Sequence, residues 1–570
     1  MARKTIAQWN GGISNNSKTG LQNSWRFAKH LNVYTDDDSV TLNPTPLLSS
    51  GTTVTDLPKW FVTSVPFTSG DKWAYGDTGN LYRTDGGLTW SLEHAVSDSH
   101  GNGLLVFENY LYYTGDDSFG RGGTLTNGFG SMTYNDDFLN NGSDNLDTSN
   151  IGAGNTYTTP TTVMETSTNL FEFNPLHDPI TSIAIIFGTR GTGDVTWVVH
   201  DSDNNTVASK TVDNSNLPAS GAYTFTLDTQ WRPILGQTYH FHFISTVADA
   251  TLQTGTNADL ATVNYSMYFG ILLNNDMFHP MIQHTNGVTG TVVIGNNDYM
   301  AVYDGTTYNP NQIRIEPGYS IRGWVRENEY IVALAWRGND VNEVQDGKLF
   351  YWDGIQPYYN FSKPVTGGVP NASVNFKNRI FSVLGGNGTF TLGTEPFKTI
   401  QPMPGLSQGE TLQVYPGAIT TGQNSAHIGI GVDNTDGDSV IQGVYEFGNN
   451  SDRAVSYTSV STEVLNFGYT ISTGDEIGTT MKIGAVAGFG RSMYIGWKSE
   501  AGTYGIDIVR TDFDPASSGS WESLIDDDTA DDSGNFSSAP QKLKEASRLC
   551  IYYNTLPTGC TVTPKYKKVS

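Results

Sequence analysis

The sequence predicts an all-β protein: a β-propeller of roughly six or seven blades carrying an inserted antiparallel β-sandwich. Three observations lead there. Hydrophobic residues make up only 37% of the 570-residue chain while aromatics reach 12%, a balance that suits sheets packing Tyr, Phe and Trp on a buried face. The 63 glycines and 23 prolines often lie in pairs with Asp and Asn that mark tight turns. A short unit then recurs about every 40 to 60 residues, close to the spacing of four-stranded blades. Each copy is an apolar strand, a turn rich in Gly or Asp, and an outer strand with aromatics.

Along the chain, residues 1–58 are polar and irregular, with little alternation, and read as an extended N-terminal arm. Trp9, Ile13, Leu21, Trp25, Phe27 and Leu31 are spaced through it as anchors that order on a partner or on the body of the protein. Trp9, Trp25 and Phe27 are the candidate assembly residues. Pro44 and Pro46 keep this stretch out of a central strand. The first blades occupy 59–139, opening with 73–90 (WAYGDTGNLYRTDGGLTW). The remaining blades occupy 279–515, with the unit clearest at 299–308 (YMAVYDGTTY) and 347–358 (GKLFYWDGIQPY). Weaker copies begin at Arg379, Gly443 and Ser492.

Between these parts, 140–278 breaks the repeat. After a Gly- and Asn-rich border come alternating strands, including 195–199, 223–227 and 238–244, with a hairpin turn at 201–206. This is the inserted sandwich. Residues 516–570 form a C-terminal β-hairpin module, where Cys550 and Cys560 flank a turn. Reduced thiols on neighbouring strands are expected there, because the chain is expected to fold in a reducing cytosol.

The net charge of −25 repels phosphate backbones, so stable nucleic-acid binding is not expected. The longest apolar runs are strand-sized, so no membrane insertion is expected. The basic start has no apolar core behind it, which argues against secretion by a signal peptide.

Candidate chemistry is sparse, and no cofactor is expected. With 57 acidic residues, pairs such as Glu343 and Asp346, or Glu327 and Glu329, arise by chance. None marks the two positioned carboxyls of a glycosidase. His240 and His242 alternate along one strand and would need His200 to complete a metal site. A polar strand face explains them more simply, so no metal is expected. The acidic loops at 433–438 and 201–205 lack the spacing of an EF-hand and read as turns. In the sandwich, Trp197, Trp231 and Tyr239 are candidate carbohydrate-binding aromatics if they face solvent, and core packing is the simpler reading. No Gly-rich phosphate loop or nucleophile–base arrangement is present, and no enzymatic activity is expected.

Two resemblances follow from these residues. Residues 83–90 (RTDGGLTW) resemble the Asp-box of sialidase-like propellers. Asp85, Gly87, Thr89 and Trp90 match, while Arg83 stands where Ser or Thr is usual. In that family the box is a structural turn away from the active site, so the resemblance implies a propeller and nothing catalytic.

The opening at 9–16 (WNGGISNN), 27–38 (FAKHLNVYTDDD) and 42–44 (LNP), with the closing stretch 544–566, resembles structural proteins of tailed bacteriophages. That resemblance implies a virion tail component, a nozzle, hub or fibre-associated protein made in the host cytoplasm. It would partner other phage tail proteins, assemble as a homo-oligomeric ring and meet a host-surface glycan. The alternative is a carbohydrate-binding or carbohydrate-active propeller, an adhesin or a glycosidase.

Overall fold

Apolar alternation at period two gives each strand one face to bury, and two-residue turns return the chain at once, so sequential strands pair as antiparallel neighbours. The computed structural model describes most of residues 48–136, 180–247, 279–422 and 425–510. It also describes strands within 12–44, 146–173, 251–269 and 520–523, and positions 561 and 563. Among the described residues there is no α-helix, only a 3-10 turn at Asn214–Asn216, and no helix long and apolar enough to cross a membrane. Residues 1–524 form one compact unit and 525–570 another.

Of the eleven sheets among the described residues, seven succeed one another as blades. The first blade comprises Pro58–Thr63, Lys72–Gly76, Asn80–Thr84 and Ser91–Ala95. The second runs from Gly103–Phe107 to Tyr134–Asn135, the third from Met281–Thr285 to Tyr308–Arg314, and the fourth from Ser320–Glu327 to Phe361–Val365. The fifth spans Pro370–Phe376 to Lys398–Pro402. In the sixth, two short strands, Leu412–Gln413 and Ile419–Thr421, share the inner edge of Ser425–Val432. The seventh has three sequential strands, Lys482–Phe489, Ser492–Lys498 and Tyr504–Arg510, and its fourth is Leu48–Val54 from the other end of the chain.

That fourth strand corrects the expected arm over 1–58. Leu48–Val54 belongs to the ring, and its pairing with Tyr504–Arg510 covers an edge that would otherwise expose unpaired backbone groups. Further upstream, Leu31–Asp36 pairs with Ser39–Pro44, and Ser24–Lys29 pairs with Ser520–Ser523. Trp25 and Phe27 therefore sit on a paired strand, opposite Ser523 and Glu522. Trp9 lies outside the described residues, as do Cys550 and Cys560.

Among the described residues, seven buried clusters account for the ring, one at each joint between neighbouring blades. The third and fourth blades share Val293, Met300, Ile321 and Phe350, and the fifth and sixth share Phe381, Phe390, Ile428 and Phe447. At the closing joint, Val54, Tyr82, Trp90, Tyr494 and Ile506 bring the seventh blade against the first. Each large aromatic buried here contributes roughly 1.5–3 kcal/mol by removal from water.

The Asp-Gly motifs do what their chemistry predicts. Asp304 Oδ1 accepts from the N–H and hydroxyl of Thr306, and Asp353 Oδ1 accepts from the N–H groups of Ile355 and Gln356. Gly305 and Gly354 follow at φ +96° and +80°, a region a side chain disfavours. Both motifs turn the third strand of a blade into its fourth.

The inserted segment has two sheets. One comprises Leu146–Ser149, Tyr265–Phe269, Ile180–Thr189, Thr251–Gln253 and Thr156–Thr158, with Gly221–Trp231 paired to Ile180–Thr189. The other runs Phe171–Phe173, Tyr239–Ser245, Val195–His200 and Thr206–Val212. The expected hairpin at 201–206 is present.

Trp197, Trp231 and Tyr239 require a correction. They are 0%, 5% and 4% exposed, and Trp231 and Tyr239 pack edge to face at 4.9 Å. Alternation along a strand assigns residues to two faces but does not say which face is covered. Here these rings are core, and as placed they offer no face to a sugar.

Candidate functional site

Because the first strand of each blade meets the first strands of its neighbours, these strands converge at the centre of the ring. Their side chains surround a cavity of about 210 Å³. Trp60 of the first blade, Met281 and Ile282 of the third, Trp324 of the fourth, Ser373 of the fifth and Pro416 of the sixth contribute to its wall.

Both indoles are half-buried and held by their N–H groups. Trp60 Nε1 donates to the Gly101 carbonyl at 3.0 Å, and Trp324 Nε1 donates to the Pro280 carbonyl at 2.8 Å. With the polar edge satisfied by backbone, the remaining ring surface lines the cavity as an apolar, oriented plate. The wall at Pro416 depends on the next residue. A Cβ on Gly417 would stand 2.0 Å from the Lys59 carbonyl oxygen, so only glycine lets the sixth and first blades approach this closely.

The rim is polar. Two residues beyond Trp324 on the same strand, exposed Arg326 donates to the Gln283 carbonyl. Asn375 Nδ2 donates to the Arg326 carbonyl at 2.7 Å. Ser373 and Ser382 hydroxyls lie 2.6 Å apart. Among the described residues lining the cavity, none is ionisable.

The other sequence candidates disperse. Glu327 and Glu329 flank the Asn328 turn, Asp346 accepts from the Tyr319 hydroxyl at 2.6 Å, and Glu343 lies outside the described residues. Asp201 accepts from the Asn205 side-chain amide and from the N–H groups of Asn205 and Asp203, and those donors hold its carboxyl below the usual range. The 433–438 loop is outside the described residues.

The Asp-box sits at the third-to-fourth strand turn of the first blade. Buried Trp90 packs against Phe61 and Tyr494, and its backbone N–H donates to Thr52 Oγ1 at 2.8 Å on the closing strand. Arg83 replaces the usual Ser or Thr because it meets Asp71 at 2.6 Å in the interior.

One polar network has no precursor in the sequence reading. His94 Nε2 and the Tyr113 hydroxyl both meet Asp136 Oδ1, at 2.7 and 2.6 Å, and His94 stacks on Tyr134 at 4.3 Å. Burial pushes the Tyr113 phenol well above its usual range, so it stays a neutral donor. The network joins the first and second blades. No local motif announces it, because its members come from three separate strands.

No family model matches the chain, and no curated protein matches it. Among solved structures it is similar to the Dos1 propeller, at 10% identity and TM-score 0.36, over 82% of this chain and 96% of that one. It is also similar to BamB from Moraxella catarrhalis, at 9% and 0.26, over 76% and 94%. A glycosyl hydrolase from Bacteroides ovatus aligns at 9% and 0.23, over 43% and 86%. The blade assignment rests on the strand pairing and the seven joints of this chain.

Proposed function

We propose that this chain is a non-catalytic carbohydrate-binding propeller whose axial cavity receives the end group of a surface glycan. One observation carries the reading: Trp60 and Trp324, each fixed by a bond to backbone, line a cavity with Ser373, and Arg326 and Asn375 follow two residues beyond Trp324 and Ser373 on the same strands. Sugar rings present apolar C–H faces and a girdle of hydroxyls, so aromatic plates with a few polar groups are the matching surface. A volume of about 210 Å³ is below the roughly 300–1,000 Å³ of drug-sized sites and suits one terminal residue rather than a chain segment.

Titrating the protein with a panel of monosaccharides and short oligosaccharides in a calorimeter tests this. At least one saccharide should bind, and Trp324→Ala should weaken it about tenfold, a loss of about 1.4 kcal/mol, while still melting cooperatively at a somewhat lower temperature. Absence of binding across the panel, or equal binding by the variant, contradicts the reading.

A second reading concerns setting. The terminal segments that resemble tailed-phage structural proteins support a place in a virion tail, where a ring with covered strand edges serves as a rigid platform for neighbours. Mass spectrometry of purified particles decides it: the chain is a stoichiometric component or it is not found.

A further inference from the structure

In a chain with 57 acidic and 32 basic residues, a cation finds a carboxylate easily. Arg83 meets Asp71, Arg314 meets Asp298, Arg337 meets Glu316 and Lys59 meets Asp77. Arg326 is different. It is exposed, its guanidinium donates from Nη2 to the Gln283 carbonyl, and no carboxylate among the described residues pairs with it. Arginine offers a fork of N–H donors, so a single bond to a neutral carbonyl leaves both the charge and much of the fork unmatched by protein.

Two strands fix the place of this charge. Arg326 follows Trp324 by two positions on Ser320–Glu327, which puts both side chains on one face, about 6.6–6.8 Å apart along the strand. The carbonyl that holds the guanidinium belongs to Met281–Thr285 of the third blade, directly after Ile282, which lines the cavity with Trp324. Trp324 reaches the same stretch of chain at the Pro280 carbonyl. Indole and guanidinium thus cross the joint between the third and fourth blades side by side. The Asn375 amide donates to the Arg326 carbonyl at 2.7 Å and holds its backbone from the fifth blade. Glu327, the next residue, alternates to the opposite face and is buried, and Glu329 lies in the turn beyond.

We infer that the end group received by the cavity is an acidic sugar, its ring against the Trp324 indole and its oxyanion on the Arg326 guanidinium. This rests on the glycan reading above and narrows it to one class. A pyranose with an exocyclic carboxylate or phosphate presents an apolar C–H face and a charged edge, in the order in which indole and guanidinium follow along the strand. The planar fork of arginine matches either oxyanion through two parallel N–H···O bonds. The net charge of −25 repels an anion at long range, but salt screens that field over about 8–10 Å, whereas the guanidinium acts at hydrogen-bond distance.

Calorimetric titration of the full chain with matched sugars tests this: glucose against glucuronate, galactose against galacturonate, and glucose against glucose 6-phosphate. At least one acidic sugar should bind about tenfold tighter than its neutral partner, as a bond between charged groups allows. The pair that shows the preference assigns the anion as carboxylate or phosphate. Arg326→Gln should bring the two affinities of that pair to about the same value. Arg326→Lys should keep part of the preference, because it retains the charge and loses the fork. Arg337→Gln, in the connection after Tyr330–Trp336, should leave the preference intact. A cooperative melt checks that each variant is folded; if Arg326→Gln is not, Arg326→Lys carries the comparison. Neutral sugars that bind as tightly as their acidic partners overturn this inference and leave the glycan reading standing. Binding by no sugar of either kind overturns both. A preference that survives Arg326→Gln overturns the role given to Arg326.

Discussion

Asp71 and Arg83 are each about 2% exposed at the side chain, with a 2.6 Å contact between them. Removing one member of such a pair strands the other charge away from water and typically costs about 3–5 kcal/mol. Asp71→Ala should lower unfolding free energy by that order in denaturant melts. Asp71→Ala combined with Arg83→Met should recover much of it, since both charges are then gone. Asp507 is a different case. It is fully buried and accepts from the Ser472 N–H and hydroxyl at 2.7 and 2.8 Å. Burial raises its carboxyl above the usual value of 3.8, against the opposing pull of those donors. A raised folded-state value means that the folded chain holds its proton longer than the unfolded chain. The resulting stability is full below pH 3.8 and is lost as pH rises through the folded value. Melting temperature measured from pH 3.5 to 7 should therefore fall more steeply in the parent than in Asp507→Asn. Parallel profiles would contradict the assignment.

At the scale of elements, the turns were the most legible feature. Asp304-Gly305 and Asp353-Gly354 announce third-to-fourth strand turns because Asx bonding and positive φ are local properties of two or three residues. The inserted sandwich was legible for the same reason, through its own alternation and its broken repeat. The closing strand was not. Leu48–Val54 is polar in composition, and its partner Tyr504–Arg510 is at the far end of the chain, so nothing local reveals the pairing. The structure also predicts where truncation hurts. Removing residues 1–46 leaves the closing strand in place and should preserve a cooperative melt. Removing 1–54 uncovers the Tyr504–Arg510 edge and takes Val54 from the closing joint, which should lower the melting temperature and promote aggregation. Equal stability of the two truncations would show that the strand does not close the ring.

For the molecule as a whole, function depends on convergence, which a linear reading cannot see. Trp60 and Trp324 belong to different blades and meet only because seven joints bend the chain into a ring. Trp197 and Tyr239 attracted attention instead, since an aromatic on an alternating strand looks the same in sequence whether its face is wet or dry. Their burial moves the glycan reading from the sandwich to the propeller axis. The most direct measurement mixes purified protein with polysaccharide from a host surface and follows both components by size-exclusion chromatography with light scattering. The account predicts that polysaccharide co-elutes with the parent protein at unchanged chain length, and that Trp60→Ala/Trp324→Ala no longer retains it. Shortened polysaccharide, or retention that ignores both tryptophans, would contradict it.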